Sequence, residues 1–335
     1  MNRFGFRDAL SKGDQNTCLK FLESALDGGN SLVQYLNDLL FTATCLEWRR
    51  LPCDHPLIVL NSLKNIIGED RDSPSKTLLN FGLELLTDQS LRKNDALILE
   101  EATRSGVGLT IFVGDLEDAL QDGKWNESKQ FAAKTFLASD RSRSVIDTLA
   151  AMALQNTERN GTFVFHLLRS FHFQEFKEDI WTYACGLLSV IEQQRLPEPH
   201  KHITIDPEKL FEAILMSDES DLWVTYSSVY RLWNGEYVRL KNYHREISNW
   251  LSGLVLDGYN SSEIYQESLL QKEENGSDTR FIDLAESIIL QDKPALERGR
   301  EIVILESLRG LYCICLLYTS PSPRDATLSR MPSSA

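Results

Sequence analysis

Three of the six histidines in the chain are candidates for chemistry: His55, His166 and His172. Histidine acts as a general acid or base near neutral pH and binds metals. His166 and His172 are six positions apart on a predicted helix, so they point to different sides and cannot share one metal ion as a simple pair. His172 and Glu175 share a face but supply only two ligands. We expect a structural or surface role for each histidine, with catalysis as the alternative.

Motifs for a metal or a bound cofactor are absent from the sequence. A di-metal carboxylate bundle needs Glu-x-x-His motifs on separate helices, and none occurs. Cys53-x-His55 is too short to form a zinc site without two further clear ligands. The phosphate-binding Gly-x-x-x-x-Gly-Lys motif and the Gly-x-Ser-x-Gly nucleophile elbow are also missing. The sequence therefore predicts no metal site and identifies no cofactor.

Four aromatic side chains, Trp223, Tyr226, Tyr230 and Trp233, form a candidate binding site. Their spacings of three, four and three put all of them on one face of a helix. Because Tyr and Trp combine apolar bodies with polar tips, this face suits a protein interface or a groove for a flat small-molecule ligand. The alternative is a core-facing stripe whose polar tips are satisfied internally. We predict that the four side chains line a groove.

Helices must position all of these residues, because helical periodicity recurs along most of the chain and strand-like alternation is rare. N-cap and proline signals predict helix starts at Asp206-Pro207-Glu208 and at Ser73-Pro74. The pattern predicts an all-α fold. One representative helical face consists of Leu32, Leu36, Leu39, Leu40 and Ala43.

The sequence also repeats itself weakly, at an offset of roughly 104–113 residues. The offset changes at an extra loop in the first copy, residues 48–54, and loops tolerate insertions. Chance similarity between two leucine-rich helical stretches is the alternative. The matched segments are Asp8-Ala9-Leu10 with Asp118-Ala119-Leu120, Leu36 with Leu149, Asn61 with His166, and Gly82-Leu83 with Gly186-Leu187.

We therefore predict a duplicated multi-helix array of two related halves followed by a truncated third. Copy 1 covers residues 1–110 and copy 2 covers residues 111–197. A C-terminal helical region covers residues 206–314, and Leu210-Phe211-Glu212-Ala213-Ile214 marks the start of the third, weaker copy.

Residues 315–335 differ in character from the rest of the chain. Cys315-Leu316-Leu317-Tyr318-Thr319-Ser320-Pro321-Ser322-Pro323-Arg324-Asp325 resembles one reading frame of a transposase-based sequencing adapter, and residues 326–335 fit its index and the constant bases that follow. The alternative is a Ser/Pro-rich tail. The resemblance implies that residues 315–335 are adapter-derived and disordered, and that the true C-terminal sequence is missing.

The net charge, the N-terminus and the cysteines indicate which partners the protein can have and where in the cell it works. The formal net charge of −14 repels phosphate backbones and anionic headgroups, so we expect no nucleic-acid and no membrane partner. The N-terminus lacks the apolar core of a signal peptide, and we expect a cytoplasmic protein. No disulfide framework is predicted, because the cysteines before residue 315 are odd in number and scattered: Cys18, Cys45, Cys53, Cys185 and Cys313.

His55-Pro56-Leu57-Ile58, at a predicted helix start in an all-helical chain, resembles proteins similar to questin oxidase. The resemblance covers one tetrapeptide and the general helical texture. It implies an oxidase or monooxygenase-like activity and a role for His55. When the two copies are aligned, His166 of the second copy matches Asn61 and not His55. The two histidines are therefore not an equivalent pair.

The sequence thus favours a cytoplasmic, all-helical binding or scaffold protein with an aromatic-lined contact face, whose partner is a protein or a flat small-molecule ligand. The alternative is an oxidoreductase with a histidine-lined pocket between the two helical halves. Catalytic groups must reach a shared substrate, so this alternative requires His55 and His166 to converge on one cavity.

Overall fold

The helical periodicity of the sequence is realised as an all-α fold. The structure, a computed structural model, describes residues 3–87, 89–106, 113–201, 204–256 and 279–319. Within these ranges the regular elements are α-helices and short 3-10 helices, with one isolated backbone bridge between Leu46 and Leu91. The predicted fold class is confirmed.

The helices follow one another in three groups. The first group is α1 (Arg3–Lys12), α2 (Gln15–Ala25), α3 (Gly29–Thr44), α4 (Pro56–Ile67), α5 (Lys76–Glu84) and α6 (Asp95–Ser105). The second group is α7 (Val113–Gln121), α8 (Trp125–Ala138), α9 (Ser144–Ala153), α10 (Thr157–Phe173) and α11 (Ile180–Ile191). The third group is α12 (Phe211–Leu215), α13 (Ser220–Trp233), α14 (Leu240–Leu256), α15 (Arg280–Ile289) and α16 (Ala295–Thr319). Short 3-10 helices lie at Pro52–Asp54, Leu154–Asn156, Lys177–Asp179 and Pro207–Leu210.

Capping side chains fix several helix starts, because the first N–H groups of a helix have no partner within the helix. The Asp206 carboxylate accepts a hydrogen bond from the Glu208 N–H at 3.0 Å, as predicted, although the turn that it caps is a 3-10 helix leading into α12. The start predicted at Ser73-Pro74 lies two residues later. There the Ser75 hydroxyl accepts from the Leu78 N–H at 3.2 Å and caps α5.

Four helices pack around one another and form the middle of the fold. α4 contacts α10 and α16, and α13 contacts the same two helices, so the four close into a bundle. Every side chain of α10 over residues 160–168 is buried. We call this group the central bundle. It takes α4 from copy 1, α10 from copy 2 and two helices from the C-terminal region, so the three predicted ranges share one core.

The predicted duplication matches the first group of six helices with the second group of five. The matched positions Asn61 and His166 lie on α4 and α10, and their side chains are joined by a hydrogen bond of 2.8 Å. Similar helix order does not by itself establish that the two halves superpose, so the duplication stays a prediction.

The C-terminal helix extends past the boundary predicted at residue 315. α16 continues to Thr319 and so includes the first five residues of the predicted tail. The rest of the predicted tail, from residue 320, lies outside the described residues. Across the described ranges, no helix combines the length and apolarity needed to cross a bilayer.

Candidate functional site

His55 caps the N-terminus of a helix, and its ring packs against other aromatic rings. Its Nδ1 accepts a hydrogen bond from the Leu57 N–H at 3.1 Å, which makes it the N-cap of α4 with Pro56 at the first helical position. The imidazole is buried against the rings of Trp48 and Phe163, with centroids 5.3 and 5.0 Å away. Burial, aided by the Arg92 charge, lowers the pKa of His55 to about 3. The first two residues of the tetrapeptide, His55 and Pro56, thus have a role in capping α4.

His166 is buried within the central bundle. Lys64 Nζ donates to Asn61 Oδ1 at 2.7 Å, so the Asn61 amide nitrogen is left to donate to His166 Nδ1. This assigns the proton of the neutral ring to Nε2, which is buried without a hydrogen-bond partner among the described residues. Burial lowers the pKa of His166 to about 3. The Glu306 charge raises this pKa and the Arg231 charge lowers it, but burial has the largest effect. The imidazole is therefore neutral at physiological pH.

His55 and His166 occupy different layers of the bundle. His55 stands at the start of α4, and Asn61, which contacts His166, comes six residues later, an axial rise of about 9 Å. Neither of the two cavities described below is lined by any of the three candidate histidines. The histidine-lined pocket predicted as the alternative site is not found in either cavity.

His172 is half-buried near the C-terminal end of α10. Its Nδ1 donates to the Leu168 carbonyl at 2.6 Å, and its Nε2 lies 3.6 Å from the Glu175 carboxylate. Arg143 also engages Glu175, at 3.1 Å. Burial lowers the pKa of His172, and the Arg143 charge adds to this. Nowhere in the described ranges do three His, Cys, Asp or Glu side chains gather as a metal site.

The four aromatic residues of α13 pack against neighbouring elements, and none of them lines the two cavities described below. Tyr226 and Tyr230 are buried, and the Tyr226 hydroxyl donates to the Pro207 carbonyl at 2.6 Å. The Trp223 indole N–H donates to the Ile214 carbonyl at 2.9 Å, and Trp233 stacks on the His244 ring at 3.8 Å. Backbone carbonyls of the preceding short helices thus satisfy the polar tips of Tyr226 and Trp223, and Tyr226 and Tyr230 belong to the core.

A cluster of charged side chains is buried where the four helices of the central bundle meet. Glu306 on α16 is fully buried and receives two hydrogen bonds from Arg231 on α13, at 2.7 and 3.1 Å, and one from Asn65 at 2.8 Å. Arg309 lies 3.5 Å from the same carboxylate and also pairs with Glu69. We call the group formed by Asn61, Lys64, His166, Arg231, Glu306 and Arg309 the buried cluster.

Electrostatics within the buried cluster favour the Glu306 charge and oppose that of Lys64. Burial disfavours the Glu306 carboxylate, but the guanidinium groups of Arg231 and Arg309 outweigh it and hold the pKa of Glu306 well below its usual range. Burial, reinforced by the Arg169 charge, lowers the pKa of Lys64 to about 7. A lysine of this kind could act as a base, but no member of the buried cluster lines either cavity.

The larger of the two cavities is a polar groove of about 610 Å³ at the N-terminal end of α10. It is framed by the end of α7, the 3-10 helix Leu154–Asn156, the first turn of α10, the connector over residues 195–200, and α14. The smaller cavity, among leucines of α3, α4 and α5, holds only about 10 Å³ and has room for about one water. The principal side chains of the polar groove are Gln121, Gln155, Asn156, Glu158, Arg195, Glu198, His200, Glu246, Asn249 and Trp250.

Hydrogen bonds hold the walls of the polar groove in place. Glu246 on α14 is buried, and its two oxygens accept from His200 Nδ1 at 2.6 Å and Arg245 Nε at 2.7 Å. Gln121 on α7 donates to Gln155 and to the Pro197 carbonyl, the latter at 3.2 Å. These bonds tie the connector to α14 on one side and to α7 on the other, so the groove is formed before any ligand enters.

Sequence patterns did not identify the residues of the polar groove or of the buried cluster as sites. A signal existed for the buried cluster, since Lys64 and Glu306 each interrupt an apolar helical run. No local signal existed for the groove, because its side chains come from positions as far apart as Gln121 and Trp250. Comparison with known proteins found no family model, no curated protein and no solved structure that matches this chain. Its function is therefore inferred from its own geometry.

Proposed function

We propose that this chain is a binding protein that holds an extended segment of a partner protein in the polar groove. The observation that carries the proposal is the groove itself: about 610 Å³, polar, and framed by three helices and a connector. Its volume lies in the range of known ligand sites, ~300–1,000 Å³. The binding role first inferred for the aromatic face of α13 is thereby reassigned to a different surface.

Amide side chains favour a polypeptide as the occupant. Gln121, Gln155, Asn156 and Asn249 line the groove. The Gln121 amide nitrogen is engaged by Gln155 and the Pro197 carbonyl, so the groups offered to a ligand are the Gln121 oxygen and the donor and acceptor of Asn249. A peptide backbone presents the same two functions in alternation. Trp250 adds an apolar wall against which a side chain can pack. A flat small-molecule ligand stacked on Trp250 would use fewer of these groups.

Preorganised walls support a binding role. The hydrogen bonds of Glu246 and Gln121 fix the groove in advance, which reduces the entropy lost when a partner is bound. The alternative, an oxidoreductase, would need His55 and His166 to converge on a substrate cavity, and neither lines one of the two cavities. A cytoplasmic location is part of the proposal, supported by free thiols at Cys18, Cys45, Cys53, Cys185 and Cys313.

A groove-filling variant tests the proposal. Peptides selected from a random displayed library with the wild-type chain would be remeasured by fluorescence anisotropy against Asn249→Trp, whose larger side chain occupies the groove. The matched control is Lys241→Trp, at an exposed position of the same helix. We expect at least about tenfold weaker binding for Asn249→Trp, equivalent to ~1.4 kcal/mol, and unchanged binding for the control.

Two results would contradict the proposed function. One is a library that yields no peptide whose binding depends on the groove. The other is a set of peptides that bind Asn249→Trp as well as they bind the wild type. Groove-dependent binding of aromatic fragments, without any peptide, would instead assign the site to a flat small molecule.

A further inference from the structure

We infer that the polar groove selects a partner segment that carries arginine or lysine side chains. This inference rests on the proposed function and specifies the class of its ligand. Three features support it: the charges that face the groove, the aromatic side chain beside them, and the charge of the whole chain.

Carboxylates outnumber free cations on the groove walls. Glu158 and Glu198 are exposed at the rim, whereas Arg195 is the exposed cation of the lining. The third carboxylate, Glu246, is buried and already paired with His200 and Arg245. Because these pairs hold the groove wall in place, the Glu246 carboxylate is not available to a ligand. The charge that a ligand meets is therefore that of the two rim carboxylates, opposed by one guanidinium.

Trp250 supplies a surface that suits a cation. It is half-buried in the groove wall on α14, the helix that also provides Glu246 and Asn249. A guanidinium or ammonium group is attracted to the face of an indole ring, and Trp is the strongest of the aromatic side chains in this respect. An arginine or a lysine can thus pack its stem and charge on Trp250 while its head reaches a rim carboxylate.

The charge of the whole chain acts in the same direction. A net charge of −14 raises the local concentration of cationic partners and repels acidic ones before contact. This long-range effect cannot select the groove over other acidic surfaces. The test must therefore separate binding in the groove from general attraction to an acidic protein.

The probes are three dye-labelled peptides of equal length, in which alanine alternates with arginine, with glutamine or with glutamate. Fluorescence anisotropy at near-physiological salt would measure their binding to the full chain. We expect the arginine peptide to bind at least about fivefold more tightly than the glutamine peptide, and the glutamate peptide to bind most weakly.

Paired variants locate the effect. Glu158→Gln with Glu198→Gln removes two rim charges, and we expect it to weaken the arginine peptide about fivefold while leaving the glutamine peptide unchanged. The charge-matched control is Asp27→Asn with Asp72→Asn, at exposed positions in loops that do not line the groove. It removes the same net charge, so equal weakening by both pairs would overturn the inference.

The outcomes separate this inference from the proposed function. If the arginine and glutamine peptides bind equally and Asn249→Trp weakens both, the groove binds peptides but does not select basic ones, and only the inference fails. If Asn249→Trp weakens neither peptide, the proposed function fails with it. A preference for arginine that survives in the rim variant but disappears in the Asp27/Asp72 control would also overturn the inference.

Discussion

At the scale of single residues, the least ordinary group is Lys64. Its ammonium would be charged in water, yet the side chain is buried in α4 among the guanidinium groups of Arg231 and Arg309, and only one fully buried carboxylate, Glu306, faces them. Excess positive charge in a buried setting favours the neutral amine. Burial of Lys64 therefore lowers the free energy of unfolding by an amount that depends on pH.

The pH dependence follows from the lowered pKa of Lys64. The folded chain loses this proton near pH 7, whereas the unfolded chain keeps it up to about 10.5, so the unfolded state binds more protons between these values. The free energy of unfolding should therefore rise with pH over that window. We expect Lys64→Met to remove a rise of at least about 1 kcal/mol, since one pKa unit corresponds to ~1.4 kcal/mol.

Urea unfolding at several pH values between 7 and 10 measures this slope. Lys20→Met, at an exposed position on α2, is the matched control and should leave the slope as in the wild type. A slope that is the same in Lys64→Met and in the wild type would contradict the burial of an uncharged lysine.

At the scale of elements, the close approach of α13 and α16 depends on a glycine. A Cβ atom added at Gly310 would lie 3.1 Å from the Arg231 guanidinium and 3.3 Å from the Ser227 hydroxyl. Arg231 is held there by Glu306, and it also lies 4.2 Å from the centre of the Phe165 ring of α10. A side chain at position 310 therefore acts on three helices of the central bundle.

Gly310→Ala should destabilise the fold although alanine favours helices. The new methyl displaces Arg231 from its position between Glu306 and Phe165, and overpacking of this kind costs ~1–3 kcal/mol. Gly253→Ala on α14 is the control, because no atom lies within 4 Å of the added Cβ, and there we expect a gain of ~0.5–1 kcal/mol from helix propensity. Thermal unfolding of both variants distinguishes them. Equal stabilisation by both would show that α13 and α16 do not approach closely at Gly310.

At the scale of the whole molecule, the three predicted ranges are joined by the helices that they contribute to the central bundle. α10 is enclosed by α4 on one side and α13 on the other. Arg7 on α1 also links the first two groups of helices, through Asp38 on α3 at 2.5 Å and Asp179 at 2.9 Å. The chain should therefore unfold as one cooperative unit.

Removal of the C-terminal region tests this cooperativity. A fragment of residues 1–197 retains α4 and α10 but exposes the faces that α13 and α16 cover, including Lys64 and His166. We expect it to lose the sharp thermal transition of the full chain and to bind a hydrophobic dye, because its apolar and polar core groups are left open to water. A fragment with a cooperative transition like that of the full chain would show that the first two groups of helices fold independently.

The sequence by itself determined which segments are helical and several of the points at which they begin. Periodicity of apolar residues, the Asp206-Pro207 signal and the scarcity of strand-like alternation all concern neighbours along the chain, and local geometry follows from them. Apolar periodicity also assigned a buried face to the helix that carries Leu32, Leu36 and Leu39. It did not assign the helix that covers that face, because many partners satisfy the same pattern.

Tertiary structure decided the role of each candidate site. The stripe Trp223–Trp233 has the same spacing whether it faces a ligand or a neighbouring helix, and only the carbonyls of Pro207 and Ile214 show that the polar tips of Tyr226 and Trp223 are already satisfied. The polar groove depends on Gln121, His200 and Trp250 meeting across long separations in sequence. Such encounters are fixed by how helices pack, and packing is a property of the whole chain that no local pattern contains.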